Sequence, residues 1–166
     1  MVITLCVNET LTSSPGNLLG TFTTDSITDP TVTFDKDVTN ATGYAWSGYQ
    51  FDMFMDQPFT SGTGTTPSGW TASAVTYPTG PIGTYTDSHG TGYTNMATVT
   101  FANVSGSDIA PGDSTTFGAD VNFSGYFLYT FELEQIASQV SPSPEPASLA
   151  LIALGGSLMI RRRPAR

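Results

Sequence analysis

The sequence predicts an all-β fold, a single β-sandwich of Ig-like or jelly-roll type, followed by a proline-rich linker and a short C-terminal apolar helix. Glycine, threonine and serine are abundant, and no window of about eleven residues carries a helical stripe. Apolar and polar residues instead alternate in short runs bounded by turn residues, the period of half-buried strands. Roughly seven to nine such strands most often pair as two sheets that cover each other, with a barrel as the second solution.

The elements follow in order. Val2 to Val7 predicts a first strand, with Cys6 as a small buried hydrophobe. Thr31 to Asp35 buries Val32 and Phe34, and Asp35-Lys36-Asp37 predicts a turn. Tyr44 to Met55 aligns Tyr49, Phe51, Met53 and Met55 on one face. Pro58 to Gly92 is poor in apolar periodicity and rich in glycine, threonine and proline, which predicts long loops at one end of the sandwich, with one further strand over Thr71 to Tyr77. Pro67-Ser68-Gly69, Pro78-Thr79-Gly80-Pro81 and Pro111-Gly112-Asp113 read as breaks. Asn95 to Phe101 aligns Ala97, Val99 and Phe101. Phe117, Ala119, Val121 and Phe123 share a face, as do Phe127, Tyr129, Phe131 and Leu133, and Ser124-Gly125 between them predicts a hairpin over 117 to 133.

This organisation makes 1–140 one domain, large enough to bury a core without metal or disulfides, with 141–146 as linker and 147–166 as tail. Charge is divided between body and tail. All fourteen acidic residues lie before Leu149, whereas four of the five basic residues fall in the last six positions and only Lys36 lies in the body. An acidic body of this kind is repelled by nucleic-acid backbone and anionic lipid, leaving neutral glycans, cations or proteins as partners. Cys6 is the single cysteine and cannot form an internal bridge.

The tail orders a proline-rich break at Ser141 to Pro146, an uncharged apolar run from Ala147 to Ile160, and Arg161-Arg162-Arg163. The prolines hold the backbone extended until Ala147. The apolar run then favours a helix, and the arginines stay on the cytoplasmic side. Its fourteen residues reach about 21 Å against a hydrocarbon core of about 30 Å. Bilayer thinning and arginine snorkelling absorb that shortfall. An exported chain is expected to begin with a basic and apolar leader; nothing before Lys36 is basic, which leads to the expectation of a leader encoded upstream of Met1.

Pro144-Glu145-Pro146, then Ala147-Ser148-Leu149-Ala150-Leu151, closed by Arg161-Arg162-Arg163, resembles the PEP-CTERM sorting signal of bacterial surface proteins, a segment that also carries the label of an ice-binding protein C-terminal domain. The resemblance covers about 26 residues. It departs from the common pattern in the short apolar run with Gly155-Gly156-Ser157, and in Pro164-Ala165-Arg166 beyond the basic cluster. It implies recognition and cleavage by a membrane-embedded exosortase with a cysteine nucleophile, in bacteria that make exopolysaccharide. Pro144, Glu145 and Pro146 are then the sorting motif, and Arg161, Arg162 and Arg163 set membrane depth and orientation. The chain reads as an exported, non-catalytic surface or biofilm-matrix protein, held at the inner membrane through 147–160 and then delivered to the cell surface or matrix.

Candidate chemistry in the body is sparse. His89, the single histidine, lies in Asp87-Ser88-His89-Gly90, but neighbours on one loop rarely converge as a triad, so an exposed loop histidine is expected, whose removal leaves stability and export unchanged. Asp25 with Asp29, Asp35 with Asp37, and Asp52 with Asp56 are candidate calcium pairs without the spacing of a dedicated loop, so no cofactor is assigned. Trp70, Tyr85 and Tyr93, with Trp46 and Tyr77, are candidate sugar-stacking residues for an alternative role in carbohydrate binding or adhesion. Threonine pairs at 21 and 23, 31 and 33, 84 and 86, and 98 and 100 are the basis of a remote ice-binding alternative. Sequons at Asn8, Asn40, Asn103 and Asn122 arise readily in a hydroxyl-rich chain.

Overall fold

The computed structural model describes residues 2–23, 31–77, 84–123, 125 and 128–139. These form an all-β structure of eleven strands in three sheets. The strands are β1 (Val2–Leu11), β2 (Gly16–Thr23), β3 (Thr31–Asn40), β4 (Trp46–Met55), β5 (Phe59–Thr63), β6 (Trp70–Ala72), β7 (Tyr85–Thr86), β8 (Gly92–Tyr93), β9 (Asn95–Asn103), β10 (Ser114–Phe123) and β11 (Leu128–Gln139). One sheet runs β1-β3-β10-β5, a second β2-β11-β4-β9-β6, and β7 pairs with β8 alone. No helix among the described residues is long and apolar enough to cross a membrane.

The chain alternates between the two larger sheets: β1 lies in the first, β2 in the second and β3 in the first again. That excursion lets β1 and β3 run parallel, Val2 opposite Thr31 through Leu11 opposite Asn40, because a parallel pair needs a connection that carries the chain back to its starting end. Period-two alternation fixes what each strand buries. Val32, Phe34 and Val38 of β3, Phe117, Ala119, Val121 and Phe123 of β10, Tyr49, Phe51, Met53 and Met55 of β4, Ala97, Val99 and Phe101 of β9, and Tyr129, Phe131 and Leu133 of β11 belong to one core cluster. Rings from both sheets meet there: Tyr49 stacks on Phe117 at 4.2 Å between centroids, and Phe123 packs on Tyr129 at 4.3 Å. Burying each ring stabilises the fold by about 2 kcal/mol.

Four sequence expectations are corrected. The 117–133 hairpin does not form, since β10 pairs with β3 and β5 while β11 pairs with β2 and β4. Both strands aim their apolar faces at the same core from opposite sheets, which a tight hairpin within one sheet cannot do. Asp35-Lys36-Asp37 is strand interior, because Asp35 and Asp37 fall on the outward face of β3 while Lys36 points inward and is 1 % exposed. Cys6 is exposed, on the outward face of β1 with Thr4 and Asn8, whereas Ile3 and Leu5 pack against the core. Within the expected loop stretch 58–92, Phe59–Thr63 pairs with β10 as the edge strand of its sheet.

Turns at Gly69 and Gly112 lie where expected, both with positive φ (77° and 92°). Thr71 to Tyr77 yields only β6 and a bridge from Thr76 to Thr98. Pro78-Thr79-Gly80-Pro81, Phe127 and the whole of 140–166 lie outside the described residues.

Candidate functional site: a buried carboxyl pair under the 84–94 hairpin

β4 is buried at every position from Phe51 to Met55. A strand facing one core alternates; continuous burial means that its other face is covered as well. The cover is the short β7–β8 hairpin, which lies over the outward face of the five-stranded sheet. Tyr93 packs against Phe54 at 5.7 Å between ring centroids, and its hydroxyl donates to Glu132 Oε2 at 2.9 Å.

The hairpin turn is Asp87-Ser88-His89-Gly90. Asp87 Oδ1 accepts the backbone N–H groups of His89 (2.9 Å) and Thr91 (2.8 Å), an aspartate turn, and Gly90 takes the positive φ of 83° that closes it. This geometry turns the Asp87 side chain toward the sheet, where it is 6 % exposed and its second oxygen, Oδ2, is buried without a hydrogen-bond donor. Glu132 of β11, 1 % exposed, faces it from the sheet. His89 Nδ1 stands 3.5 Å from Glu132 Oε1, with the rest of the imidazole in solvent. Asn17 of β2 completes the group: its Nδ2 contacts Glu132 Oε1, His89 Nδ1 at 2.8 Å and Ser88 Oγ at 3.2 Å. Ligand atoms of Asp87, His89 and Glu132 all lie within 4.8 Å of one another.

Burial raises the Glu132 carboxyl above its ordinary range, and the neighbouring Asp87 carboxyl raises it further, against hydrogen bonds from Tyr93 and Asn17. Burial also pushes Asp87 up, but hydrogen bonds from Glu132 and from the amides of Thr91 and His89 outweigh it, so Asp87 is held low. Burial, then Glu132, pushes the Tyr93 phenol up. Two carboxyl groups in contact under a low-dielectric cover share a proton or a cation. Ser88 Oγ accepts from Asn17, while Asp87 Oδ1 is taken by the backbone amides of His89 and Thr91.

Other sequence candidates fall elsewhere. Trp70 is buried against Phe117, its Nε1 donating to Ser107 O at 3.2 Å, and Tyr93 is buried under the hairpin, so neither presents a free face for sugar stacking. Trp46 is fully buried, Tyr85 is half-buried, and Tyr77 is exposed. Asp35 accepts from Thr65 and Asp37 from Thr116, both along the sheet surface. Asp52 accepts from Gln50 and Thr98, and Asp56 from the Thr130 amide, so none of these pairs converges on a common point. Asp25 and Asp29 lie outside the described residues, as do Pro144, Glu145, Pro146, Arg161, Arg162 and Arg163. The threonine pairs lie on β2, on β3, in and just before β7, and on β9, and the β3 pair donates to Asn122 and Asp120. Asn40 of the second sequon is fully buried and holds the following turn through Thr42, Tyr44 O and Ile109 O.

A second buried polar group spans the core. Lys36 pairs with Glu9, Gln135 Nε2 donates to Glu9 Oε2 at 2.9 Å, and the Tyr49 hydroxyl donates to Gln135 Oε1. Sequence reading missed Asn17, Glu132, Glu9 and Gln135. Each is an ordinary polar residue in an alternating strand, and only the partner across the fold distinguishes it.

No family model, curated protein or solved structure matches this chain.

Proposed function

We propose that this chain is an exported, non-catalytic bacterial surface or matrix protein: a β-sandwich body carried to the envelope by a C-terminal PEP-CTERM-type signal, cut there by an exosortase, and then released or attached to the outer surface. The observation that carries this reading is the order of the tail, Pro144-Glu145-Pro146, an uncharged run to Ile160, then Arg161-Arg162-Arg163. Glu145 between two prolines offers a stiff, extended recognition segment. The apolar run holds it at the membrane surface, and the arginines fix its depth against the inner leaflet. An all-β body with its own core, acidic apart from Lys36, supports the reading, since such a domain functions after the tail is removed.

Mass spectrometry of the mature C-terminus, in cells with and without the sorting enzyme, tests this. The expected result is a chain ending near residue 146 only when the enzyme is present; an intact Arg166 terminus in both strains overturns it. Changing Arg161, Arg162 and Arg163 together to glutamate is expected to leave the protein unsorted in cell fractionation.

A further inference from the structure

We propose that Asp87, His89 and Glu132 bind one divalent transition-metal ion of the zinc class, and that the ion clamps the 84–94 hairpin onto the outer face of the five-stranded sheet. Three observations carry this independently of the sorting tail. First, Asp87 Oδ2 is buried and meets no N–H or hydroxyl donor; what faces it is the second carboxyl, Glu132. Two buried carboxyl groups in contact are costly unless a shared proton or a bound cation completes them, and the structure assigns the cation. Second, one ligand pair already has the spacing. Ligands about 2.0–2.1 Å from a tetrahedral zinc stand about 3.3–3.4 Å apart; His89 Nδ1 and Glu132 Oε1 are 3.5 Å apart, and the full set, which lies within 4.8 Å, tightens around the ion on binding. Third, one group, Asn17 Nδ2, contacts both of those ligand atoms, so an ion that binds them displaces a single amide.

The donor set selects the metal. Calcium prefers six to eight oxygens, whereas one imidazole and two carboxylates, with access from solvent on the His89 side, suit a four-coordinate zinc-class ion whose last ligand is water. Two ligands sit two residues apart on a tight turn, and the third comes from a central strand of the sheet. The bound ion therefore joins a small hairpin to the largest sheet of the body.

The test uses the full chain in mild detergent, without an oligohistidine tag, stripped with a chelator and titrated with zinc chloride by calorimetry and equilibrium dialysis. One zinc per chain, a rise in Tm on zinc addition, and no displacement by millimolar calcium are expected. His89→Ala is the decisive variant, because an exposed side chain is removed and folding is retained; it is expected to weaken binding by about tenfold or more and to abolish the Tm rise. Asp87→Asn is expected to do the same where it folds, and Asp113→Asn, on a distant turn, to change nothing. No saturable binding, equal affinity in His89→Ala and wild type, or displacement of zinc by calcium would each overturn the proposal.

Discussion

Lys36 illustrates how far one residue's role depends on what lies opposite it. It is the single lysine of the chain, 1 % exposed, and its ammonium is matched by Glu9, which is itself tied to Gln135 and Tyr49. Breaking such a pair from one side leaves an uncompensated charge, whereas replacing both partners often costs little. Because Glu9 is 24 % exposed, Glu9→Gln is expected to lower stability by about 2–3 kcal/mol in denaturant unfolding, and Lys36→Met with Glu9→Gln to recover most of it. A double variant as unstable as the single one would refute the coupling. Burial lowers the Lys36 amine below its ordinary 10.5, against the opposing pull of Glu9. Between that lowered value and 10.5 the unfolded chain binds more protons than the folded one, so Lys36 makes stability rise with pH across that window. Tyr49 and Tyr93 are raised by burial and act in the opposite sense above their ordinary 10.0. The informative quantity is therefore the stability of wild type minus that of the double variant, read below pH 10, where the tyrosines contribute little in either protein; it should increase toward pH 10.

At the scale of elements, strand faces were legible and strand partners were not. Tyr49, Phe51, Met53 and Met55, or Phe117, Ala119, Val121 and Phe123, declare their inward face by period two, and the structure buries them all. Pairing is a different matter. Nothing in the Ser124-Gly125 sequence distinguishes a hairpin from a crossing between sheets, because both connections favour glycine, and the choice depends on the place between β2 and β4 that β11 fills. Cys6 was misplaced for a related reason. Val2 to Val7 is apolar at both parities apart from Thr4, so the face of β1 is set by the register against β3, where Cys6 lies opposite the outward Asp35. Native protein is therefore expected to react stoichiometrically with a maleimide at Cys6 without denaturant; labelling only after unfolding would contradict the register. Gly118 marks a close approach of the same kind, since a Cβ there would stand 2.6 Å from the Thr65 amide and 2.7 Å from an Asp35 carboxylate oxygen. Gly118→Ala is expected to destabilise by about 1–3 kcal/mol in the same unfolding assay.

For the whole molecule, the core cluster of the described residues runs from Leu11 to Ala137 and joins both large sheets. A chain ending at residue 140 is expected to melt at the Tm of the full chain; a clear drop would show that the tail supports the fold. The sequence by itself determined the all-β class, the inward faces of the main strands, the acidic body and the ordered tail. These are local properties, set by alternation, composition and linear order, and no distant partner is needed to read them. Only the tertiary structure decided that Asp87 meets Glu132 and Asn17, that Lys36 meets Glu9, and that β10 and β11 part into different sheets. Each of these joins residues far apart in the chain, and a strand's backbone accepts many neighbours equally well. The choice among them is made by burying both sheets and the hairpin at once.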